Sequence, residues 1–409
     1  MKKPNIIFIV VDALRASNLS CYGYPTNTSP FLDQLAAKGV LFENCFSCTN
    51  ASDPALTSLM SGMYTRTHGI MHHSYEVNDQ ELKTFEERKV KLLQEILKEH
   101  KYKTFALDFL ARWHSRGYDY YPPLKIDRTK RKRQLNKMLR FFDTLHLKPL
   151  FKKIHHTKTF RRFFGGFDAY PKDTETTAKA LELIAEHKGK KEAYFLFLHY
   201  WGVHKPYICP KEENKLSTQC YNNAIETVDA HLSKVFAAAG EDAVVVIVGD
   251  HGESLGEHGI SFDHHGLYEA SMHVPLIFAG PGVPKGKKIN GLACTTDIFA
   301  TLLALAGIKY APKTDSCNLV PLMKEEKKEV REYVFAEENY YQDKACIRTK
   351  THKFIKTIGN GLCGKCHLVH GADQELYDLQ KDPQELQNIA AENFDLLTKF
   401  TTEIEKYIK

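Results

Sequence analysis

Residues 243–251 read AVVVIVGDH, and this stretch decides the fold. Its apolar run is short, continuous and dominated by β-branched valine and isoleucine. Such a run is a strand buried on both faces rather than a surface helix, and strands of this kind belong to a parallel sheet covered by helices. Residues 5–11 (NIIFIVV), 194–198 (YFLFL) and 274–278 (VPLIF) repeat the pattern. Helical periodicity separates them at 30–38, 90–100, 173–187, 222–239 and 296–306. Strand–helix alternation predicts an α/β fold with a large, mostly parallel central sheet.

The strand ends matter more than the strands. Asp12 follows the first apolar run, and Asp250-His251 follows the run at 243–248. Open α/β sheets hold their ligands beyond the carboxyl ends of their strands. Two carboxylates and an imidazole there form a donor set for one divalent cation: Ca²⁺, Mg²⁺, Mn²⁺ or Zn²⁺. The competing reading makes each Asp a cap of the following turn or helix.

After Pro312 the character changes. Strand-like runs between 330 and 358, a Gly359-Asn360-Gly361 turn and a helix near 393–408 predict a small antiparallel sheet with one packed helix. The expected division is a catalytic unit over 1–312 and a C-terminal subdomain over 313–409. Residues 127–163 form a basic segment with interleaved Leu and Phe. It reads as a solvated helical excursion or as an amphipathic surface that touches a membrane peripherally.

Composition narrows the class. The chain has 409 residues, 43% hydrophobic and 26% charged, with a formal charge of +6. That balance suits a globular enzyme of anionic small molecules and does not call for a nucleic-acid partner. No run reaches the roughly 18 apolar residues of a membrane span. The run after Lys2-Lys3 is interrupted by Pro4 and Asn5 and reads as a strand rather than an export signal. A cytoplasmic location with reduced cysteines is expected. Cys363-Gly-Lys-Cys366-His367, with His370, carries zinc-type donors; a small structural zinc or plain hairpin cysteines both fit.

The segment SDPALTSLMSG begins at Ser52, at a turn that opens a helix. A hydroxyl there meets the positive end of the helix dipole, which favours an anionic substrate, but the same placement also suits an ordinary N-cap.

Here the motifs taken together decide. PNIIFIVVDALR, SDPALTSLMSG, HGI, ARWHSRGYD, FLHYWGVHKPY, VVIVGDHGESLGEHG, HGLYEASMHVPLIFAGPG, TTDIFATLLALAGI and ELYDLQKDPQELQNIA follow one another from residue 4 to about 390. In content and order they resemble the sulfatases, of the alkaline phosphatase-like superfamily. The resemblance implies Asp12, Asp250 and His251 as metal ligands, with Ser52 both a ligand and the nucleophile position that becomes formylglycine in many members. It implies His204 as the group assisting the leaving oxygen, and Arg112, His114 and His264 as contacts to the anionic group.

Two departures bear on chemistry. Ala13 and His251 replace residues of the usual metal set. The modification signature C/S-x-P-x-R reads Ser52-Asp53-Pro54-Ala55-Leu56, without its arginine, which argues against formylglycine at Ser52. Hydrolysis of a sulfate ester is the leading expectation. A phosphodiesterase, phosphonate monoester hydrolase or phosphoryl transferase on the same scaffold is the alternative, and a non-catalytic anion-binding module is a third.

Overall fold

The computed structural model describes residues 3–110, 112–122, 172–207, 216–309, 313–339, 341–359, 361–364 and 368–409. The basic segment 127–163, Cys366 and His367 lie outside the described residues.

Among the described residues, nine strands lie in the first part of the chain: β1 (Asn5–Val11), β2 (Val40–Phe46), β3 (Lys103–Leu107), β4 (Tyr194–Tyr200), β5 (Ala243–Gly249), β6 (Ser254–Leu255), β7 (Ser261–Asp263), β8 (Leu276–Ala279) and β9 (Lys287–Cys294). Seven form one sheet in the order β3-β4-β1-β5-β8-β2-β9, and β6 pairs with β7 in a separate hairpin. Alternate residues of β1 enter opposite cores. Ile6, Phe8 and Val10 pack on one face, and Ile7, Ile9 and Val11 on the other. Both faces are therefore apolar, which explains the continuous hydrophobic runs.

Strand β8 alone runs against its neighbours, antiparallel to both β5 and β2. The connection from β5 holds the β6–β7 hairpin with a 3-10 turn at Glu257–Gly259, and its one α-helix is a single turn, Glu269–Met272. Without a full crossover helix the chain returns to the sheet in the opposite sense.

Register sets up the site. Val11 pairs with both Tyr200 and Gly249, so Asp12 and Asp250 leave neighbouring strands at the same level. Leu107 pairs with Leu198, so Asp108 comes out beside His199.

The C-terminal part is an antiparallel sheet of β10 (Val334–Glu338), β11 (Lys344–Arg348), β12 (His352–Thr357) and β13 (Gln374–Asp378). The helix Phe394–Ile408 covers it through Phe400 and Ile404, against Ile347, Phe354 and Leu376. This sheet is joined to the main body by the backbone bond from Glu337 N to Cys48 O (3.0 Å) and by the pairing of Arg66 with Glu337. No helix among the described residues is long and apolar enough to cross a membrane.

Candidate active site

Ligand atoms of Asp12, Asp250 and His251 lie within 4.8 Å of one another, and all three residues are fully buried. One oxygen of Asp250 is committed to the backbone, accepting from Ala13 N (3.1 Å) and His251 N (2.9 Å). The other, Oδ2, has no hydrogen-bond partner among the described residues, nor does Asp12 Oδ1. His251 Nδ1 lies 2.9 Å from the Gly252 carbonyl, so Nδ1 carries the proton and Nε2 turns toward the carboxylates. Burial and the charge of Asp12 both push the Asp250 carboxyl up. This repulsion is what a cation would relieve, so the donor set fits a divalent metal.

Ser52 opens the helix Ser52–Ser61, but the N-cap is Ala51, which offers no side-chain bond. The N-cap reading of Ser52 therefore does not hold. Its hydroxyl is directed away from the helix and donates to Asp12 Oδ2 (3.2 Å), with His251 Nε2 at 3.4 Å. The sequence reading left two functions open for this serine, and the geometry sets it among the ligand atoms.

Arg112 and His114 converge on a residue the reading passed over. Asp53, fully buried, takes Arg112 Nη2 on Oδ2 (3.0 Å) and His114 Nε2 on Oδ1 (3.1 Å). His73 Nδ1 lies 2.9 Å from Oδ2, and Ser74 N donates to the same oxygen at 2.6 Å. Burial would raise the Asp53 carboxyl, but His73 and His114 outweigh it and hold it well below the usual range. Asp53 thus anchors three basic side chains one residue from the Ser52 hydroxyl.

His204 and His264 line another side. The His264 ring stacks on His251 at 4.5 Å, and the His204 ring lies 5.7 Å from it. His264 Nδ1 lies 2.5 Å from Asn50 O, and His204 Nδ1 lies 2.6 Å from Lys205 O. Burial holds both imidazoles neutral, with His204 down to about 4. Lys205 brings a cation to this wall and pairs with Asp263 Oδ2 at 2.5 Å.

Three further groups were legible only in outline. His199 stands in the FLHYWGVHKPY stretch ahead of His204. Its Nδ1 bonds Asp108 Oδ1 at 2.8 Å and its Nε2 lies 3.3 Å from Asp12 Oδ2. Burial disfavours its charge, but Asp108 and Asp12 outweigh it and raise its pKa to about 10. Asp108 carried no motif at all; only its place after an apolar run could have found it. Glu253, fully buried, is pushed up to about 8 by burial.

A hydroxyl set among strand-end carboxylates and an imidazole, with basic side chains beside it, is a layout for anionic esters, and the sheet beneath has the alkaline phosphatase-like architecture. Solved structures share it. A phosphonate monoester hydrolase of Agrobacterium radiobacter superposes with a TM-score of 0.72 at 18% identity, over 99% of this chain and 95% of that one. A protein solved with its substrate D-glucosamine-2-N,6-O-disulfate gives 0.71 at 16% identity, over 99% and 97%. A sequence profile of the sulfatase family matches residues 4–308, and the C-terminal profile of N-sulphoglucosamine sulphohydrolase matches 256–409. This chain belongs to the sulfatase family and is a hydrolase of sulfuric-ester bonds. It is similar to a Δ4,5-hexuronate-2-O-sulfatase of Bacteroides thetaiotaomicron, 24% identical over an alignment 437 positions long that covers 95% of this chain and 85% of the relative.

Proposed function

We propose that this protein cleaves a sulfate monoester of a saccharide, with Ser52 as the nucleophile position. One observation carries the reading: Ser52 Oγ sits 3.2 Å from Asp12 Oδ2 and 3.4 Å from His251 Nε2, within the donor set. A divalent cation held by Asp12, Asp250 and His251 would neutralise the anionic group and lower the pKa of the hydroxyl. The Ser52 oxygen attacks sulfur as the bond from sulfur to the sugar oxygen breaks. Arg112 and His114, oriented by Asp53, stabilise charge on the non-bridging oxygens. His204 is the group that would pass a proton to the leaving oxygen, and His264, whose ring lies 5.7 Å from it, is a further contact to the anionic group. The sugar class rests on the names of the relatives, which act on or bind sulfated saccharides.

A second reading has its own support. Leu56 stands at the signature arginine position, only 1% exposed and packed in the core beside Leu59 and Met60. That favours a serine left unmodified. Water releases phosphate from a phosphoserine, whereas a sulfated serine lacks the exit an aldehyde hydrate provides. Phosphodiesters or phosphonates are then the better substrates.

Peptide mass separates the two, because conversion of Ser52 to formylglycine removes a pair of hydrogen atoms. A panel of sulfate ester, phosphate monoester, phosphodiester and phosphonate, run with each candidate metal, gives the activity. Converted Ser52 with sulfate turnover supports the first reading. Unmodified Ser52 with turnover of phosphoryl substrates alone overturns it.

A further inference from the structure

We propose a second metal site, of the zinc class, formed by His265, Cys363 and His370. Ligand atoms of the three lie within 4.8 Å of one another. The His265 and His370 ring centroids lie 4.7 Å apart, with the ring planes tilted at 53°. His265 is 7% exposed, and its Nδ1 makes no hydrogen bond; the nearest acidic atom is Asp263 Oδ1, at 3.7 Å. A buried imidazole nitrogen with no hydrogen bond among the described residues carries a desolvation cost that a bound metal would offset. Cys363 is fully buried, with its Sγ among these ligand atoms.

The backbone holds these donors in place. Cys363 N donates to Leu368 O (2.8 Å), Gly364 N to Tyr341 O (2.7 Å), and Lys344 Nζ to His370 O (2.6 Å). Two imidazoles and a thiol suit Zn²⁺ and offer nothing to hard cations, which take oxygen. The set at Asp12, Asp250 and His251 is richer in oxygen and admits harder cations as well, so the two sites differ in the metals they accept. The proposed ion would fasten the loop between β12 and β13 to the segment after β7. His264, beside His265, stacks on His251, so the fastening steadies the wall of the active site. Zinc binding releases the Cys363 thiol proton to solvent and requires no oxidant.

The test needs no activity. The full-length chain, freed of metal by a chelator, is titrated with Co²⁺ and separately with Zn²⁺. The expected result is a thiolate-to-cobalt charge-transfer band in the near ultraviolet, saturating at one ion per chain. Cys363→Ser abolishes the band and weakens zinc binding by more than about a hundredfold, beyond the loss expected for a group outside the ligand set. His370→Gln, at a partly exposed position that folding tolerates, does the same, whereas Asp250→Asn keeps the band. Should Cys363→Ser fail to fold, X-ray absorption of the zinc-loaded wild-type chain is expected to show a sulfur ligand at ~2.3 Å. No thiolate band in the folded wild-type chain, a band that survives Cys363→Ser, or an all-nitrogen-and-oxygen zinc shell overturns the proposal.

Discussion

His199 Nε2 lies 3.3 Å from Asp12 Oδ2, while its Nδ1 is held at 2.8 Å by Asp108 Oδ1. All three are buried. The chain Asp108–His199–Asp12 therefore sets the orientation of a proposed metal ligand from behind. Asp108→Asn should reduce metal affinity and turnover by about 10- to 100-fold, as loss of such supporting partners does. Metal content after dialysis, measured beside activity, checks this; full metal retention at wild-type turnover would remove Asp108 from the argument.

Ser52→Ala should lower turnover more than about a thousandfold while metal content stays near wild type, because Asp12, Asp250 and His251 remain. Near-native activity in this variant would eliminate the covalent route.

Much of this arrangement was readable from sequence because it depends on strand ends. Asp12, Asp250 and His251 each follow an apolar run, and parallel register then brings them together. The antiparallel sense of β8 was not readable, since a covered strand has the same composition in either direction. β9 was not readable as a strand because polar residues interrupt it, as in KKINGLAC. Asp53 was hidden by its neighbours: between a hydroxyl and a proline it looks like a first-turn acid, and only tertiary contact shows three basic side chains on it. The partner of His199 lies 91 residues away, a spacing no local pattern reveals.

Asp53→Asn tests that convergence. The amide cannot balance Arg112, His73 and His114, and breaking a buried ionic cluster on one side costs roughly 3–5 kcal/mol. Urea unfolding should show the loss together with a fall in kcat/KM. Arg112→Ala, at a side chain 34% exposed, should affect catalysis with much less effect on stability. If the two variants lost equal stability, Asp53 would owe its role to folding alone.

Arg331 makes a separate prediction about how the two sheets hold together. It pairs through two nitrogens with fully buried Asp297, which also accepts from Cys294 N (2.8 Å) and Cys317 N (2.7 Å). Arg331→Met leaves that carboxylate without its cation and should destabilise the chain by about 3–5 kcal/mol. A denaturation midpoint unchanged from wild type would show the pair to be dispensable.

His204 gives the pH signature. Burial lowers its pKa to about 4, and its Nδ1 proton is already engaged by the Lys205 carbonyl. In the free enzyme at neutral pH the ring is neutral, with a bare Nε2. To protonate a departing alkoxide it must first gain a proton, and the active fraction therefore falls as pH rises above that depressed value. For an alkyl sulfate, kcat/KM should rise by about one decade per unit as pH drops from 7 toward 5, because this ratio reports ionisations of the free enzyme. A nitrophenyl sulfate needs no proton for its leaving group. Dividing one profile by the other cancels ionisations common to both substrates, those of Asp250 and His251 included. His204→Gln should flatten the ratio while leaving nitrophenyl turnover within about threefold of wild type. A ratio that stays level with pH in the unaltered enzyme would take His204 out of leaving-group protonation and leave the task to another group.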